Sequence, residues 1–262
     1  MVVATGLPQL KRRVDDYIWR ENGKPIQHLR EILDTTFMAF PSVAIVGGLV
    51  RDIARRGKVG FKSDIDLVIA AGDAEVADLA AKLHAIPNRF GGYGSRHPHW
   101  KIDFWALETT WAATQGHAPV ESVADIVDTT FFDCDAICYE IKSRKLFAAN
   151  GYLPRLKAGV IDVNLLPNPS IEGNLLRAIR RILSWGYHPG PRLRTFIDEN
   201  LTDETLVAIS NTEEELFTHT MAGAFERSCD LKKVLFSENP KNLFNTAVGE
   251  QLSFPGLDPD DE

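Results

Sequence analysis

Two aspartates separated by one residue stand in an apolar stretch, Asp64-Ile-Asp-Leu-Val68. In a β-strand, residues two apart face the same side, so both carboxylates point together while Ile65 and Leu67 face the core. Two carboxylates about 5 Å apart repel by roughly 3 kcal/mol at an effective dielectric near 20. A divalent cation between them would reverse that cost, so the spacing predicts a metal site.

A third carboxylate, Asp103, lies between two apolar residues in a second stretch with strand alternation, Trp100 to Leu107. It could complete the site if the two strands are neighbours. Carboxylates and phosphate oxygens suit Mg²⁺, which keeps waters and substrate phosphates among its ligands. We therefore expect Asp64, Asp66 and Asp103 to be catalytic and to bind Mg²⁺, with Mn²⁺ as a substitute. The alternatives are a solvated strand end for the first two and a turn cap for Asp103.

Two glycines, Gly47 and Gly48, follow an apolar strand, Val43 to Val46, and precede a helix. Because glycine has no Cβ, backbone N–H groups there can approach a phosphate, and the helix dipole favours negative charge at that point. The pair predicts phosphate binding, and a tight strand-to-helix turn is the structural alternative.

The order of these features resembles the head domain of the DNA polymerase β-like nucleotidyltransferase superfamily. Within it, Gly47-Gly-Leu-Val-Arg-Asp52 and the Asp64 stretch resemble the first motif of class II tRNA CCA-adding enzymes and bacterial poly(A) polymerases. The segment Gly151 to Ile161 is similar to the end of that head domain, and Asn174 to Tyr187 is similar to its Arg-rich first neck helix. The resemblance covers about residues 41 to 187.

This resemblance implies a set of nucleotide-binding residues beside the three aspartates: Gly47, Gly48, Arg51, Asp52, Ser63, Arg177 and Arg180. In the family the Arg51–Asp52 pair is largely structural, so both roles stay open for it. Arg177 and Arg180 lie three residues apart on one helix face and are expected to reach the triphosphate; exposure to solvent is the alternative.

Two family motifs are not retained. The segment that contacts the ribose in the family, Arg-Arg-Asp-Phe-Thr-Ile-Asn-Ala, is matched by Thr129 to Ala136, which keeps only Phe132 and Ala136. The base-reading Glu-Asp-x-x-Arg falls on Ser170 to Asn174, where both reading side chains are absent. The nucleotide preference of CCA-adding enzymes therefore does not carry over.

The composition is that of an ordinary globular chain, with 262 residues, 44% hydrophobic and 25% charged. No apolar run approaches the roughly 20 residues of a membrane helix, and the first residues lack a signal-peptide pattern, so we expect a cytoplasmic protein without membrane contact. A net charge of −7 argues against nucleic-acid binding by overall charge and leaves a local basic groove open. The odd cysteine count predicts core thiols at Cys134, Cys138 and Cys229.

The element pattern predicts an α+β chain, and the resemblance implies a polymerase β-like nucleotidyltransferase fold with a mixed sheet and helices, preceded by N-terminal helices and followed by an all-helical neck-like domain. The pattern predicts two amphipathic helices between about Leu7 and Phe40, and strands at Val43 to Val46 and Ile65 to Ile69. Further helices are predicted at Leu49 to Arg55, Asp73 to His84, Val120 to Ile126 and Leu153 to Ala158.

The glycine-rich stretch Phe90 to His99 is predicted as a loop, in which substrate contact by Arg96, His97 and His99 stays open. Helical periodicity extends over Glu213 to Phe236. The predicted domains are helices at 1–40, a catalytic head at 41–166, a neck-like domain at 167–254 and an acidic tail at 255–262.

Together the residues and the resemblance predict a metal-dependent nucleotidyltransferase. It would transfer a nucleoside monophosphate from an NTP, with ATP among the candidates, to an acceptor hydroxyl and release pyrophosphate. An RNA 3′ end, above all that of tRNA, is the expected acceptor. The alternatives are a toxin-like enzyme acting on a protein or small molecule, and a non-catalytic nucleotide-binding module. The sequence leaves open the NTP, the number of nucleotides added and the oligomeric state.

Overall fold

A computed structural model describes residues 3–61, 64–88 and 90–245 of the chain. The chain divides into two compact units, one comprising Met1–Ala158 with Asn164–Pro169 and the other Gly159–Val163 with Ser170–Glu262. No helix in the described part of the chain is long and apolar enough to cross a membrane. The predicted acidic tail lies outside the described residues.

The first unit begins with the two predicted amphipathic helices. Helix α1 (Leu7–Asp15) continues as a π-helical turn to Arg20, and α2 (Lys24–Ile32) continues likewise to Phe37. Each has a proline in its first turn, where the missing N–H removes no intrahelical hydrogen bond. Their apolar positions recur at helical spacing and are buried, as the periodicity predicted: Leu10, Val14, Ile18, Ile26, Leu29, Ile32, Leu33 and Phe37.

A mixed sheet forms the centre of the first unit. Among the described residues it has seven strands in the order β3-β4-β5-β2-β1-β6-β7, and only β2 and β5 run parallel. The strands are β1 (Val43–Val46), β2 (Ile65–Ile69), β3 (Ile86–Pro87), β4 (Tyr93–Arg96), β5 (Lys101–Ala106), β6 (Ile137–Glu140) and β7 (Lys145–Ala148). The bounds of β1 and β2 are those that the sequence predicted.

The central strands are buried because helices and loops cover both faces of the sheet. Ala44 and Val68 pack on one face with Ile126 and Cys138, whereas the Phe104 ring meets that of Phe37 edge-on at 5.7 Å. Apolar residues therefore occupy all of β1 and positions 67–69 of β2 consecutively instead of alternating with polar ones.

The helices of the first unit after β1 are α3 (Gly48–Arg56), α4 (Asp73–Lys82), α5 (Trp111–Thr114) and α6 (Tyr152–Ala158). Helices α3, α4 and α6 lie close to their predicted positions. The helix predicted at Val120 to Ile126 is instead a 3₁₀ turn at Asp125–Asp128.

The loop predicted at Phe90 to His99 is wrong in part, because β4 lies within it and pairs antiparallel with β5. Its glycines hid the strand signal but are required by the packing. A Cβ on Gly92 would lie 2.3 Å from the Trp105 ring, and one on Gly94 would lie 2.8 Å from Asp103 Oδ1. The close approach of these side chains thus explains Gly92 just before β4 and Gly94 within it.

The second unit is mainly helical, with α7 (Ile171–Trp185), α8 (Pro191–Asn200), α9 (Asp203–Leu216) and α10 (Ser228–Leu235). Two short parallel strands, β8 (Val160–Ile161) and β9 (His188–Pro189), also belong to it. Ser170 caps α7 by accepting a hydrogen bond from the N–H of Gly173, and Gly186 ends the helix at φ +71°.

The helix predicted over Glu213 to Phe236 is interrupted. Helix α9 ends at Leu216, and helical structure of α type resumes at Ser228. The Glu213 carboxylate accepts hydrogen bonds from the N–H groups of Met221 and Ala222, at 2.8 and 2.7 Å, which hold the intervening segment in a loop. Cys134 and Cys138 are buried as predicted, whereas Cys229 is exposed, so the core-thiol prediction is wrong for that residue.

Candidate active site

The three predicted catalytic aspartates lie near the beginning of two neighbouring central strands, β2 and β5. Asp66 on β2 is the direct register partner of Asp103 on β5, and Asp64 immediately precedes β2. Ile102 and Phe104, which flank Asp103, are fully buried, so strand alternation turns Asp103 towards the other side of the sheet. The condition that the sequence left open, that the two strands be neighbours, is therefore met.

A lysine that the sequence reasoning missed joins two of these carboxylates. Lys101 Nζ donates to Asp64 Oδ2 at 2.8 Å and to Asp103 Oδ2 at 3.0 Å. These hydrogen bonds hold the pKa of Lys101 above its usual range, although partial burial opposes them. The signal was present in the sequence, since Lys101 and Asp103 are two apart on a strand and share a face.

The ionisation of Asp66 is strongly disturbed by its surroundings. Burial raises the pKa of Asp66 to about 7, and the carboxylates of Asp103, Asp64 and Asp135 add to the shift while Lys101 opposes it. Desolvation and like charges both disfavour the ionised carboxylate, and the charge of Lys101 does not offset them. Such a site favours the binding of a cation.

The strand-to-helix turn at Gly47 and Gly48 places the beginning of α3 directly after β1. Gly47 has φ +57° and ψ −110°, a conformation that L side chains rarely adopt. Its own N–H donates to the carbonyl of Ile137 at 3.2 Å. The backbone donors that the turn offers to an anion are therefore those of the first turn of α3, beginning with Gly48.

Arg51 and Asp52 form a buried ion network with Asp135. Arg51 Nε donates to Asp52 Oδ1 at 2.9 Å, and Arg51 Nη1 donates to Asp135 Oδ1 at 2.6 Å. The two carboxylates raise the pKa of Arg51 against the opposing effect of burial. These contacts tie α3 to the turn before β6, which is the structural role that the sequence left open for the pair.

The predicted arginines of α7 belong to the helical unit and have contacts there. Arg180 Nη1 pairs with a carboxylate oxygen of Glu213 and donates to the His219 carbonyl at 2.9 Å, while its guanidinium lies 3.7 Å from the Phe217 ring centroid. Arg177 is exposed, and its Nε donates to the Gly173 carbonyl at 3.2 Å. Contact of either arginine with a triphosphate stays a prediction.

Ser63, the remaining predicted nucleotide-binding residue, lies outside the described residues. The turn between β4 and β5 contains His97 and His99, whose rings lie 5.9 and 5.8 Å from that of His28 on α2. Arg96 is the register partner of Lys101 and is exposed. These side chains thus lie on the hairpin that also carries Lys101 and Asp103.

The donor chemistry of Asp64, Asp66 and Asp103 fits Mg²⁺, because three carboxylates supply the oxygen ligands that this ion prefers. The excess negative charge around Asp66 would be relieved by such an ion. Within residues 3–61, 64–88 and 90–245, however, no group of three or more His, Cys, Asp or Glu side chains is arranged to hold a metal as it stands. The described arrangement is instead the one in which Lys101 joins Asp64 and Asp103.

No protein-family model and no curated protein sequence matches the chain. Among solved structures, it is similar to the Bacillus stearothermophilus CCA-adding enzyme in complex with CTP, at TM-score 0.52 and 15% identity over 85% of this chain and 54% of that one. It is also similar to a tRNA nucleotidyltransferase complexed with a primer tRNA and an incoming ATP analog, at TM-score 0.49 and 19% identity over 87% and 63%. A tRNA-processing enzyme with CTP matches at TM-score 0.47 and 18% identity over 88% and 59%.

The match to the Bacillus enzyme shows the fold: the chain has the mixed α+β fold of CCA-adding nucleotidyltransferases, as the sequence motifs predicted. The chain spans between 54% and 63% of the length of these three structures.

Proposed function

We propose that this protein is a metal-dependent nucleotidyltransferase. The observation that carries the proposal is the register pairing of Asp66 with Asp103 on the central strands β2 and β5, next to Asp64. A nucleoside monophosphate would pass from an NTP to an acceptor hydroxyl. The hydroxyl oxygen forms a bond to the α-phosphorus, the bond from that phosphorus to the bridging oxygen breaks, and pyrophosphate leaves. The proton of the hydroxyl passes to solvent.

Asp64, Asp66 and Asp103 would hold the Mg²⁺, which supplies charge neutralisation on the triphosphate and on the attacking oxygen. The first turn of α3 would donate backbone N–H groups to the phosphates, since its donors lack intrahelical acceptors. Arg177 and Arg180 are the further phosphate contacts that the family resemblance implies, and Arg180 would have to leave Glu213 to make one. The Arg51 network would fix α3 against β6 and so keep the phosphate donors in place.

An RNA 3′ end, above all of tRNA, is the acceptor that we propose, and the reaction would take place in the cytoplasm. The fold match to a CCA-adding enzyme solved with CTP supports an NTP substrate, and the resemblance of the Gly47 and Asp64 motifs to CCA-adding enzymes supports a tRNA acceptor. The absence of the family's base-reading side chains at Ser170 to Asn174 favours a second candidate, transfer to a protein or small-molecule hydroxyl.

The test is an incubation of the protein with Mg²⁺ and each α-labelled NTP in turn, with intact tRNA or with periodate-oxidised tRNA. We expect labelled tRNA and pyrophosphate with at least one NTP, and no label on oxidised tRNA, which lacks the 3′-terminal hydroxyls. Asp64→Ala should abolish the transfer, whereas Asp34→Asn, an exposed aspartate of the N-terminal helices, should not. Label on protein with none on RNA would favour the second acceptor. Failure with every NTP and acceptor would contradict the proposal.

A further inference from the structure

Lys101 places a positive charge between two carboxylates of the candidate active site. Its ammonium nitrogen lies 2.8 Å from a carboxylate oxygen of Asp64 and 3.0 Å from one of Asp103. It therefore bridges two of the three carboxylates that would hold a metal. The contact is local to the site, because Lys101 precedes Asp103 by two residues on β5 and faces the same side of the sheet.

The ion pairs of Lys101 with Asp64 and Asp103 are partly exposed to solvent, so another cation can reach these carboxylates. The side chains of Lys101 and Asp64 are 43% and 50% exposed, whereas that of Asp103 is 18% exposed. An ion pair of this exposure is weak, because water screens it and the long lysine side chain loses entropy when it is held. A divalent cation carries twice the charge of the ammonium group, and Asp64 and Asp103 are carboxylates that would hold it.

We propose that Lys101 competes with the divalent metal for Asp64 and Asp103 and thereby sets the metal affinity of the site. Without metal, the lysine partly neutralises mutually repelling carboxylates. When metal binds, the ammonium group leaves them. The protein alone therefore binds metal weakly, and metal loading is favoured when a triphosphate brings further oxygen ligands. This inference rests on the proposed function, since it assigns the same carboxylates to the metal.

The test is the affinity of the full chain for Mn²⁺ without nucleotide, measured from the EPR signal of free Mn²⁺. Lys101→Met removes the competing charge and should lower the Kd for Mn²⁺ by about three- to tenfold, as expected for loss of two weak ion pairs. Lys101→Arg keeps a competing cation and should bind Mn²⁺ much as the native protein does.

Lys145→Met is the matched control, because Lys145 is an exposed lysine on the edge strand β7 and its loss changes the net charge equally. We expect its Kd to stay within about twofold of native, since β1 and β6 separate β7 from β2 and salt screens exposed charges. Thermal melting of each variant checks that it is folded.

An unchanged or weaker Mn²⁺ affinity of folded Lys101→Met would overturn the inference. If the native protein nevertheless transfers nucleotides, the proposed function stands and only the role of Lys101 is lost. If no variant binds Mn²⁺ and no transfer is observed, both proposals fail.

Discussion

The aspartates at β2 and β5 and the glutamate of α9 differ in how the protein compensates their negative charge. Glu213 is 0% exposed, and its two oxygens accept hydrogen bonds from Arg180 and from backbone N–H groups. Asp66 instead lies beside Asp103 and Asp64, and burial together with these like charges raises the pKa of Asp66 to about 7. A buried acid with enough donors fixes a loop, whereas acids gathered with too few donors favour a ligand that brings positive charge.

The largest expected effect is a loss of stability when Arg180, the partner of Glu213, is removed. Arg180→Ala leaves a buried carboxylate without its cation and should lower the free energy of unfolding by about 3–5 kcal/mol. Thermal and denaturant unfolding measure this. Arg177→Ala removes an exposed arginine of the same helix and should change stability by about 0.5 kcal/mol or less. Equal losses in the two variants would show that the Glu213 cluster is not the structural anchor described here.

Asp66→Asn should lower the transfer activity and leave the folded state intact, whereas Arg180→Ala lowers stability. We expect the transfer rate to fall about a thousandfold, because several kcal/mol of charge stabilisation depend on this ligand and each 1.4 kcal/mol is a factor of ten. The melting temperature should stay unchanged or rise, since a repelling charge is removed. A variant that unfolds, or one that retains full activity, would contradict the distinction between the two kinds of acidic cluster.

Metal addition should stabilise the protein through the aspartates alone. At a Mg²⁺ or Mn²⁺ concentration of about 100 times the Kd, binding to the folded state adds about 2.7 kcal/mol of stability and raises the melting temperature. The double variant Asp64→Asn, Asp66→Asn should show no such rise. An equal response of native and double-variant proteins would remove the metal from the site.

The smallest effect concerns the turn before α3. Gly47→Ala should lower the free energy of unfolding by about 1–3 kcal/mol, because alanine is strained at φ +57° even though its Cβ would meet nothing within 4 Å. Gly116→Ala is matched to it, with φ +67° and the same open space. Both should lose stability, and only Gly47→Ala should also lose transfer activity, measured on the folded fraction. If Gly116→Ala loses as much activity, the turn has no special part in phosphate binding.

Much of the local structure follows from the sequence pattern. Continuous apolar runs predicted β1 and β2, and the apolar spacing predicted α1 and α2, because side-chain burial repeats with the period of each element. The pattern failed for β4, where Trp105 and Asp103 of β5 approach so closely that glycine is required at Gly92, just before the strand, and at Gly94 within it. It also failed for the segment after Leu216, where hydrogen bonds to Glu213 hold a loop.

The candidate site divides in the same way. The types and spacing of Asp64, Asp66 and Asp103 were sufficient to predict an acidic cluster on two strands. The contacts of Lys101 with Asp64 and of Arg180 with Glu213 could not be predicted. The paired residues are 37 and 33 positions apart in the sequence, and the sequence pattern does not give the strand register or helix packing that joins them.

By itself the sequence determined most of the elements of the first unit, the acidic residues that share a strand face, and the glycine turn that precedes a helix. These features are local, since they depend on periodicity and on the conformations that each residue type permits. Only the tertiary structure decided that Asp66 faces Asp103, that Lys101 joins two carboxylates, and that Arg180 is held by Glu213. Those pairings depend on strand order and helix packing, which bring together residues that are remote along the chain.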